Sequence, residues 1–89
     1  MSSHAVPRIT MYLTERCPYC RMALRLLEAR SVAIQKIWVD HEPARRSEMI
    51  DRAGRHTVPQ IFIDGQHVGG YSELYQLADS GALDRWLGI

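Results

Sequence analysis

The two cysteines of this chain, Cys17 and Cys20, are three residues apart, between a strand-like segment and a helix-like segment. Residues at this spacing share one face of a helix, so the two sulfurs can meet with little backbone rearrangement. Pro18 has the fixed φ that suits a first helical position, which places Cys17 at a helix N-terminus. Unpaired N–H groups and the helix dipole favour a thiolate there and lower a thiol pKa from about 8.5 to between about 3.5 and 7.5. Cys20 lies one turn further in, so the pattern predicts that Cys17 is a nucleophile and Cys20 a resolving thiol.

A cysteine pair at this spacing has two other interpretations. A static disulfide would close a very short loop, and such a loop constrains the unfolded chain only weakly. A zinc site would need two more ligands at suitable spacing, but the histidines are scattered along the sequence: His4, His41, His56 and His67. Redox chemistry is favoured, because Cys-x-x-Cys beside a strand–helix–strand pattern is typical of thioredoxin-like proteins.

Length and charge limit the classes of protein to consider. The 89 residues predict one domain, 1–89, with a modest core, in which residues 1–7 are loosely held. A net charge of +1 predicts no strong attraction to nucleic acid or membrane. The sequence has no signal-peptide pattern and no apolar run near the roughly 20 residues that span a bilayer. A reactive cysteine pair fits a reducing compartment, so we expect the protein in the cytoplasm.

The hydrophobic periodicity predicts the element order β-α-β-α-β-β-α, with a short extra helical segment at the end. The predicted strands are 9–13, 34–39, 60–63 and 66–68, and the predicted helices are 18–30, 43–53, 71–80 and 83–87. The first strand is apolar almost throughout, which suits the centre of a sheet covered on both faces. Asp64-Gly65 between two apolar runs indicates a two-residue type I′ hairpin turn. On the second helix, Glu48–Arg52 and Asp51–Arg55 have the i,i+4 spacing of attractive pairs.

Three separated motifs resemble those of one protein family. They are Cys17-Pro18-Tyr19-Cys20, Thr57-Val58-Pro59 and Gly69-Gly70-Tyr71-Ser72-Glu73-Leu74. Their order and spacing make the chain similar to dithiol glutaredoxins of the short bacterial type, from about Arg8 to the C-terminus. The resemblance implies an α/β thioredoxin fold, in which a four-stranded mixed sheet is flanked by helices. It also implies reduction of glutathione mixed disulfides and protein disulfides, with glutathione as the reducing co-substrate and no metal.

The family resemblance gives the second motif a role in substrate binding. It implies a cis peptide bond between Val58 and Pro59, although only about 5–6% of X–Pro bonds are cis. A cis bond would turn the Val58 backbone toward the cysteines, where it can pair with a docked peptide. Thr57 belongs to the same implied glutathione site. The alternative is an ordinary loop proline.

The third motif predicts an anion site. Gly69-Gly70 precedes a helix start, and free N–H groups at Tyr71 and Ser72 can meet a carboxylate. In the family, the γ-glutamyl carboxylate of glutathione docks here. The Ser72 hydroxyl suits either a helix cap or the ligand. A plain glycine turn with a serine cap is the alternative.

The glycyl carboxylate of glutathione needs a cation. The family commonly has a lysine three residues before the first cysteine, where this chain has Thr14. Arg46 matches a family position that contacts the glycyl end, and Arg16 lies beside the predicted nucleophile. An ordinary solvated arginine is the alternative for both. The family also uses the residue corresponding to Tyr19 to flank bound glutathione.

The resemblance suggests partners as well. They are glutathione and glutathionylated or disulfide-containing proteins, ribonucleotide reductase among them, and the chain is expected to be a monomer. Two other functions stay open. One is an iron–sulfur module that uses Cys17 and glutathione from each of two chains, against which Pro18 and the second cysteine argue. The other is a thioredoxin-like donor reduced by a flavoprotein, against which the glycine pair and the Thr57 motif argue.

Overall fold

The computed structural model describes residues 7–89, so the expected loose order of residues 1–7 concerns a segment that lies, except for Pro7, outside the described residues. The elements are β1 (Ile9–Leu13), α1 (Pro18–Glu28), β2 (Ile34–Trp38), α2 (Pro43–Ala53), β3 (Gln60–Ile63), β4 (Gln66–Gly69), α3 (Tyr71–Ser80) and α4 (Ala82–Leu87). Each predicted element is present, and its ends lie within two residues of the prediction. Among these helices, none combines the length and apolar character needed to cross a bilayer.

The strands form one mixed sheet in the order β2-β1-β3-β4. β1 pairs in parallel with β2 and antiparallel with β3, and β3 pairs antiparallel with β4. The predicted central place of β1 is confirmed: Met11 and Tyr12 point to opposite faces, and both are 0% exposed. A strand buried on both faces needs apolar residues at successive positions, which is what β1 has.

The helices cover the two faces unequally. α1, α3 and α4 pack over the face formed by the odd-numbered residues of β1 and β3, where Leu27, Leu74 and Leu83 are fully buried. α2 covers the other face, where Met49 packs with Tyr12 and its neighbours. The segment Cys17–Cys20 therefore belongs to the larger of the two cores.

A polar clamp holds the C-terminal helix against the hairpin. The Arg8 guanidinium donates to both carboxylate oxygens of Asp64, at 2.8 and 2.7 Å, and to the carbonyls of Trp86 and Leu87. The indole N–H of Trp86 donates to Asp64 at 2.9 Å. Asp64 and Gly65 have φ of 52° and 78°, the positive values that a type I′ turn requires.

The predicted pair Glu48–Arg52 does not form. Glu48 accepts hydrogen bonds from Arg45, one turn earlier, and from the hydroxyl of Tyr12. Arg52 donates to the same hydroxyl at 2.7 Å and lies over the ring of Phe62, 4.2 Å from its centroid. An exposed i,i+4 pair contributes only a few tenths of a kcal/mol, whereas a buried hydroxyl must be hydrogen-bonded. The tertiary contact with the Tyr12 hydroxyl therefore determines the conformations of the Glu48 and Arg52 side chains.

Candidate active site

Cys17 lies at the N-terminus of α1, as the sequence predicts. It is the N-cap residue, with extended backbone (φ −123°, ψ 104°), and Pro18 follows at the first helical position. Its Sγ accepts the N–H of Cys20 at 3.1 Å. The sulfur thereby satisfies one of the backbone donors that the first turn of a helix leaves free.

The two cysteines are joined in a disulfide, with Cα atoms 5.1 Å apart. They differ in access: Cys17 is 8% exposed, whereas Cys20 is 1% exposed and packs in the core with Ala23 and Leu27. A substrate sulfur can therefore approach Cys17 more readily than Cys20.

The cis-proline motif lies beside this disulfide. The Val58–Pro59 peptide bond is cis, as the resemblance implies, and the Val58 carbonyl oxygen lies 3.7 Å from Cys17 Sγ. A disulfide sulfur carries no proton, so this is a contact of two acceptors rather than a hydrogen bond. The contact puts the backbone of Val58 next to the sulfur that a substrate would approach.

A side chain of β3 forms hydrogen bonds with Thr57, the first residue of this motif. The fully buried Gln60 donates through Nε2 to the Thr57 carbonyl at 3.0 Å and to its hydroxyl oxygen at 3.2 Å. The amide oxygen of Gln60 lies 2.7 Å from Nε2 of His67 on β4. Gln60 and His67 were not identified from the sequence as part of the site. The only sign of them in the sequence is the amide of Gln60 at the start of an otherwise apolar strand.

The glycine corner forms the third part of the site. Gly69 has φ of 124°, and Gly70 is the N-cap of α3, so Ser72 is not the cap. The Gly70 N–H donates to the Glu73 carboxylate at 2.6 Å, and Arg55 donates to the same oxygen at 3.0 Å. These two donors, the backbone N–H first, hold the pKa of Glu73 below its ordinary value.

Arg55 therefore pairs across the fold with Glu73 instead of with Asp51, its predicted partner on α2. The corner lies close to the cis-proline motif, since a Cβ atom added at Gly70 would lie 3.4 Å from the Pro59 carbonyl oxygen. Next to it, the N–H groups of Tyr71 and the exposed Ser72 belong to the first turn of α3, where no intrahelical acceptor exists for them. These N–H groups and the helix dipole suit an anion.

A row of tyrosines joins the first and third motifs. The ring of Tyr19, which is 60% exposed, lies 6.0 Å from the ring of Tyr71, and Tyr71 lies 6.1 Å from Tyr75. Tyr19 and Tyr71 were both predicted site residues, whereas Tyr75 was not. Because Tyr19 stands between the two cysteines in the sequence, this row of rings links the cysteine motif to the first turns of α3.

The residues considered as cations for the glycyl carboxylate of glutathione lie in different parts of the structure. Arg46, half-buried on α2, donates to the carbonyl of His56 at 3.2 Å, directly before the cis-proline motif. Arg16 is exposed beside Cys17, and Thr14 is half-buried. The structure thus places Arg46 against the residue before Thr57.

The comparisons with known proteins agree on one family. A family model described as glutaredoxin matches residues 9–68, a range that includes both cysteines and the cis-proline motif. The chain is 50% identical to glutaredoxin 3 of Escherichia coli K12 over 76 residues, which is 85% of this chain and 92% of that protein. It is 43% identical to a glutaredoxin of Pseudomonas aeruginosa over 82 residues, which is 92% of this chain and 98% of that protein.

Solved structures give the same result for the fold. The solution structure of glutaredoxin from Brucella melitensis is 39% identical, with a TM-score of 0.77 over 94% of this chain and 91% of that one. The crystal structure of a buckwheat glutaredoxin–glutathione complex is 26% identical, with a TM-score of 0.80 over 86% of this chain and 73% of that one. The four-stranded mixed sheet flanked by helices is therefore the thioredoxin fold.

Proposed function

The chain belongs to the glutaredoxin family, and from that premise we propose that Cys17 is the nucleophile of its reaction and Cys20 the resolving thiol. Like its relatives, the protein is a glutathione-dependent thiol–disulfide oxidoreductase, which reduces glutathione mixed disulfides and protein disulfides through its Cys-x-x-Cys pair. The observation that carries the two roles is the 3.1 Å hydrogen bond from the Cys20 N–H to Cys17 Sγ at the start of α1.

This hydrogen bond supports Cys17 as the thiolate. In the reduced protein the same N–H, with the positive end of the α1 dipole, faces a sulfur that can carry a full negative charge. Cys20 lies one turn further into α1 and is only 1% exposed, so burial favours its neutral thiol. The greater exposure of Cys17 gives it the first contact with substrate.

Reduction of a glutathione mixed disulfide then uses Cys17 alone. The Cys17 thiolate attacks the glutathionyl sulfur, a new sulfur–sulfur bond forms, and the substrate leaves as a thiolate that takes up a proton. The thiolate of a second glutathione attacks the glutathionyl sulfur on Cys17. Oxidised glutathione forms, and Cys17 leaves again as a thiolate.

A protein disulfide requires both cysteines. The Cys17 thiolate attacks one substrate sulfur and forms a mixed disulfide, and the other substrate sulfur leaves as a thiolate that takes up a proton. Cys20 loses its proton and attacks Cys17 Sγ, which releases the reduced protein and gives the Cys17–Cys20 disulfide seen in the structure. Two glutathione molecules return the pair to the dithiol, with one oxidised glutathione as product.

We assign the γ-glutamyl end of glutathione to the corner at Gly70. The N–H groups of Tyr71 and Ser72 would bind its carboxylate, with help from the α3 dipole. The backbone of Val58 would pair with the peptide, beside Pro59, because its carbonyl already lies 3.7 Å from Cys17 Sγ. Holding the tripeptide at both places would align its sulfur with the nucleophile.

The other end of glutathione is assigned to α2. Arg46 would bind the glycyl carboxylate, because its hydrogen bond to the His56 carbonyl keeps its charge next to Thr57. Tyr19 would cover the bound tripeptide from the exposed side. Arg46→Gln should therefore raise KM for glutathione more than it lowers kcat.

The roles of the cysteines are tested with matched serine variants. Steady-state reduction of a small glutathione mixed disulfide, coupled to glutathione reductase, is measured for the wild type, Cys17→Ser and Cys20→Ser. We expect Cys17→Ser to have no turnover. Cys20→Ser should reduce the mixed disulfide but fail with a protein disulfide. If a folded Cys20→Ser variant lost deglutathionylation, or a folded Cys17→Ser variant kept it, the assigned roles would be wrong.

Assembly, location and protein substrate complete the proposal. We propose that residues 1–89 act as a single monomeric domain in the cytoplasm, a reducing compartment that would keep the cysteine pair ready to react. Sedimentation at the monomer mass of 10.2 kDa and one cooperative unfolding transition would support this. Ribonucleotide reductase is a candidate substrate, tested by whether the reduced protein sustains its turnover.

A further inference from the structure

Gln60 is the one amide or charged side chain that is fully buried among residues 7–89. Its amide orientation follows from its partners. The Thr57 carbonyl can only accept, so the group 3.0 Å from it must be the NH₂ of Gln60. The amide oxygen therefore faces His67 Nε2 at 2.7 Å.

This orientation fixes the tautomer of His67. An amide oxygen can only accept, so Nε2 of His67 must carry the proton that it donates. His67 is exposed at its outer side, but partial burial of the ring and the nearby Arg55 lower its pKa, which favours the neutral ring. The ring also lies 5.0 Å from the ring of Phe62, so two contacts hold the imidazole in place.

The orientation of the Gln60 amide also determines which hydrogen bonds Thr57 can still form. Its hydroxyl oxygen accepts from Gln60 at 3.2 Å, so its own hydrogen points elsewhere and is free to be donated. Its carbonyl is bound as well, at 3.0 Å. Thr57 is exposed, so these two bonds from a buried amide hold an otherwise solvent-facing residue in one conformation.

We propose that Gln60 and His67 are positioning residues, which hold Thr57 as a hydrogen-bond donor to the glutathionyl group of the substrate. This inference rests on the glutathione-dependent activity and on the assignment of Thr57 to the glutathione site. His67 touches no substrate: it holds Gln60, and Gln60 holds Thr57. The effect on turnover therefore enters through binding of glutathione and not through the reactivity of Cys17.

The test compares His67→Leu with His67→Gln. Both variants lose the imidazole ring and its contact with Phe62, and their side chains are similar in size, but only glutamine can donate to Gln60. For a small glutathione mixed disulfide we expect His67→Leu to raise KM about 2- to 10-fold, the effect of one neutral hydrogen bond, with kcat changed by less. His67→Gln should stay nearer to the wild type in both constants.

A second readout separates positioning from general damage. The rate at which iodoacetamide alkylates reduced Cys17 needs no glutathione site, so it should be the same in both variants and in the wild type. In NMR spectra of the wild type, the His67 ring should be the neutral tautomer with hydrogen on Nε2. A hydrogen on Nδ1, or equal KM values for His67→Leu and His67→Gln, would overturn the inference.

Gln60→Leu provides a second variant at the centre of the chain of contacts. It should raise KM at least as much as His67→Leu, and adding His67→Leu to it should have little further effect. Additive effects would mean that the two residues act separately, and the inference would fail. The proposed function fails in a different way, namely if Cys17→Ser turns over substrate or the wild type does not.

Discussion

Replacing Gly69 by alanine should damage the glycine corner in a way that can be worked out from the structure. Gly69 has φ of 124°, and an added Cβ would lie 2.6 Å from the Glu73 carboxylate oxygen and 3.0 Å from the Arg55 guanidinium. The first distance is too short for any carbon–oxygen contact. Glu73 must therefore move away from the Gly70 N–H, which it now accepts at 2.6 Å.

Two effects lower the free energy of unfolding of the Gly69→Ala variant. Backbone in a sparsely populated φ region costs about 1–3 kcal/mol for a residue with a side chain. Losing a hydrogen bond to a charged group costs about 1.5–3 kcal/mol, and the lower end applies because Glu73 is partly exposed. We expect the free energy of unfolding to fall by about 2.5–4.5 kcal/mol.

Gly54→Ala provides the matched control. Gly54 also has positive φ, at 70°, but an added Cβ would meet no heavy atom within 4 Å. Its cost is the left-handed backbone alone, about 1–2 kcal/mol. Urea unfolding of both variants at neutral pH gives the comparison, and the m-values should match that of the wild type.

A double-mutant cycle isolates the steric clash between the new Cβ at position 69 and Glu73. Glu73→Ala removes the side chain that the new Cβ would meet, so Gly69→Ala should cost less in that background than in the wild type. Because the first turn of α3 is the proposed carboxylate site, Gly69→Ala should also raise KM for a glutathione mixed disulfide more than it lowers kcat. If Gly69→Ala is no less stable than Gly54→Ala, or the two substitutions at 69 and 73 are additive, this account of the corner is refuted.

Two further predictions concern the polar contacts outside the site. The Arg8 guanidinium lowers the pKa of Asp64 from 3.8 to about 2, so the carboxylate stabilises the fold above pH 3.8 and loses that effect as the pH falls through about 2. Asp64→Asn should therefore unfold at lower urea than the wild type at pH 6 and at nearly the same urea near pH 2, and a constant difference would contradict the assignment. Tyr12→Phe should lower the free energy of unfolding by about 1–3 kcal/mol, because Glu48 and Arg52 each lose a buried partner. Urea unfolding at pH 7 checks this, and an unchanged midpoint would mean that the hydroxyl contributes nothing.

The sequence was sufficient for the elements because their signals are local. An Asp-Gly pair between apolar runs specifies a hairpin turn whatever surrounds it. The apolar stripe of α1 and the glycine after α2 likewise depend on neighbours within one or two turns. The location of Cys17 at a helix N-terminus followed from Pro18 in the same way, without knowledge of the rest of the fold.

Ion-pair partners, the helix cap of α3 and the cis peptide bond could not be predicted from local sequence signals. Asp51–Arg55 has good spacing, but Arg55 reaches Glu73, 18 residues away, because an exposed pair on one helix is too weak to compete with a tertiary contact. Ser72 is a good cap by residue type, yet the chain turns into α3 at Gly70. The cis bond before Pro59 was expected only through the family resemblance, since no local signal distinguishes it from other X–Pro bonds.

The site comes together because of strand register, which sequence patterns specify only indirectly. β1 and β3 are antiparallel with Tyr12 opposite Gln60, so the C-terminal end of β1 and the residues before β3 meet at one edge of the sheet. Cys17 follows the first and Pro59 precedes the second. A slip of one residue in this pairing would put Tyr12 and Gln60 on opposite faces of the sheet and would shift the residues before β3 relative to Cys17. The pairing of Tyr12 with Gln60 therefore helps to set the 3.7 Å distance between the Val58 carbonyl oxygen and Cys17 Sγ.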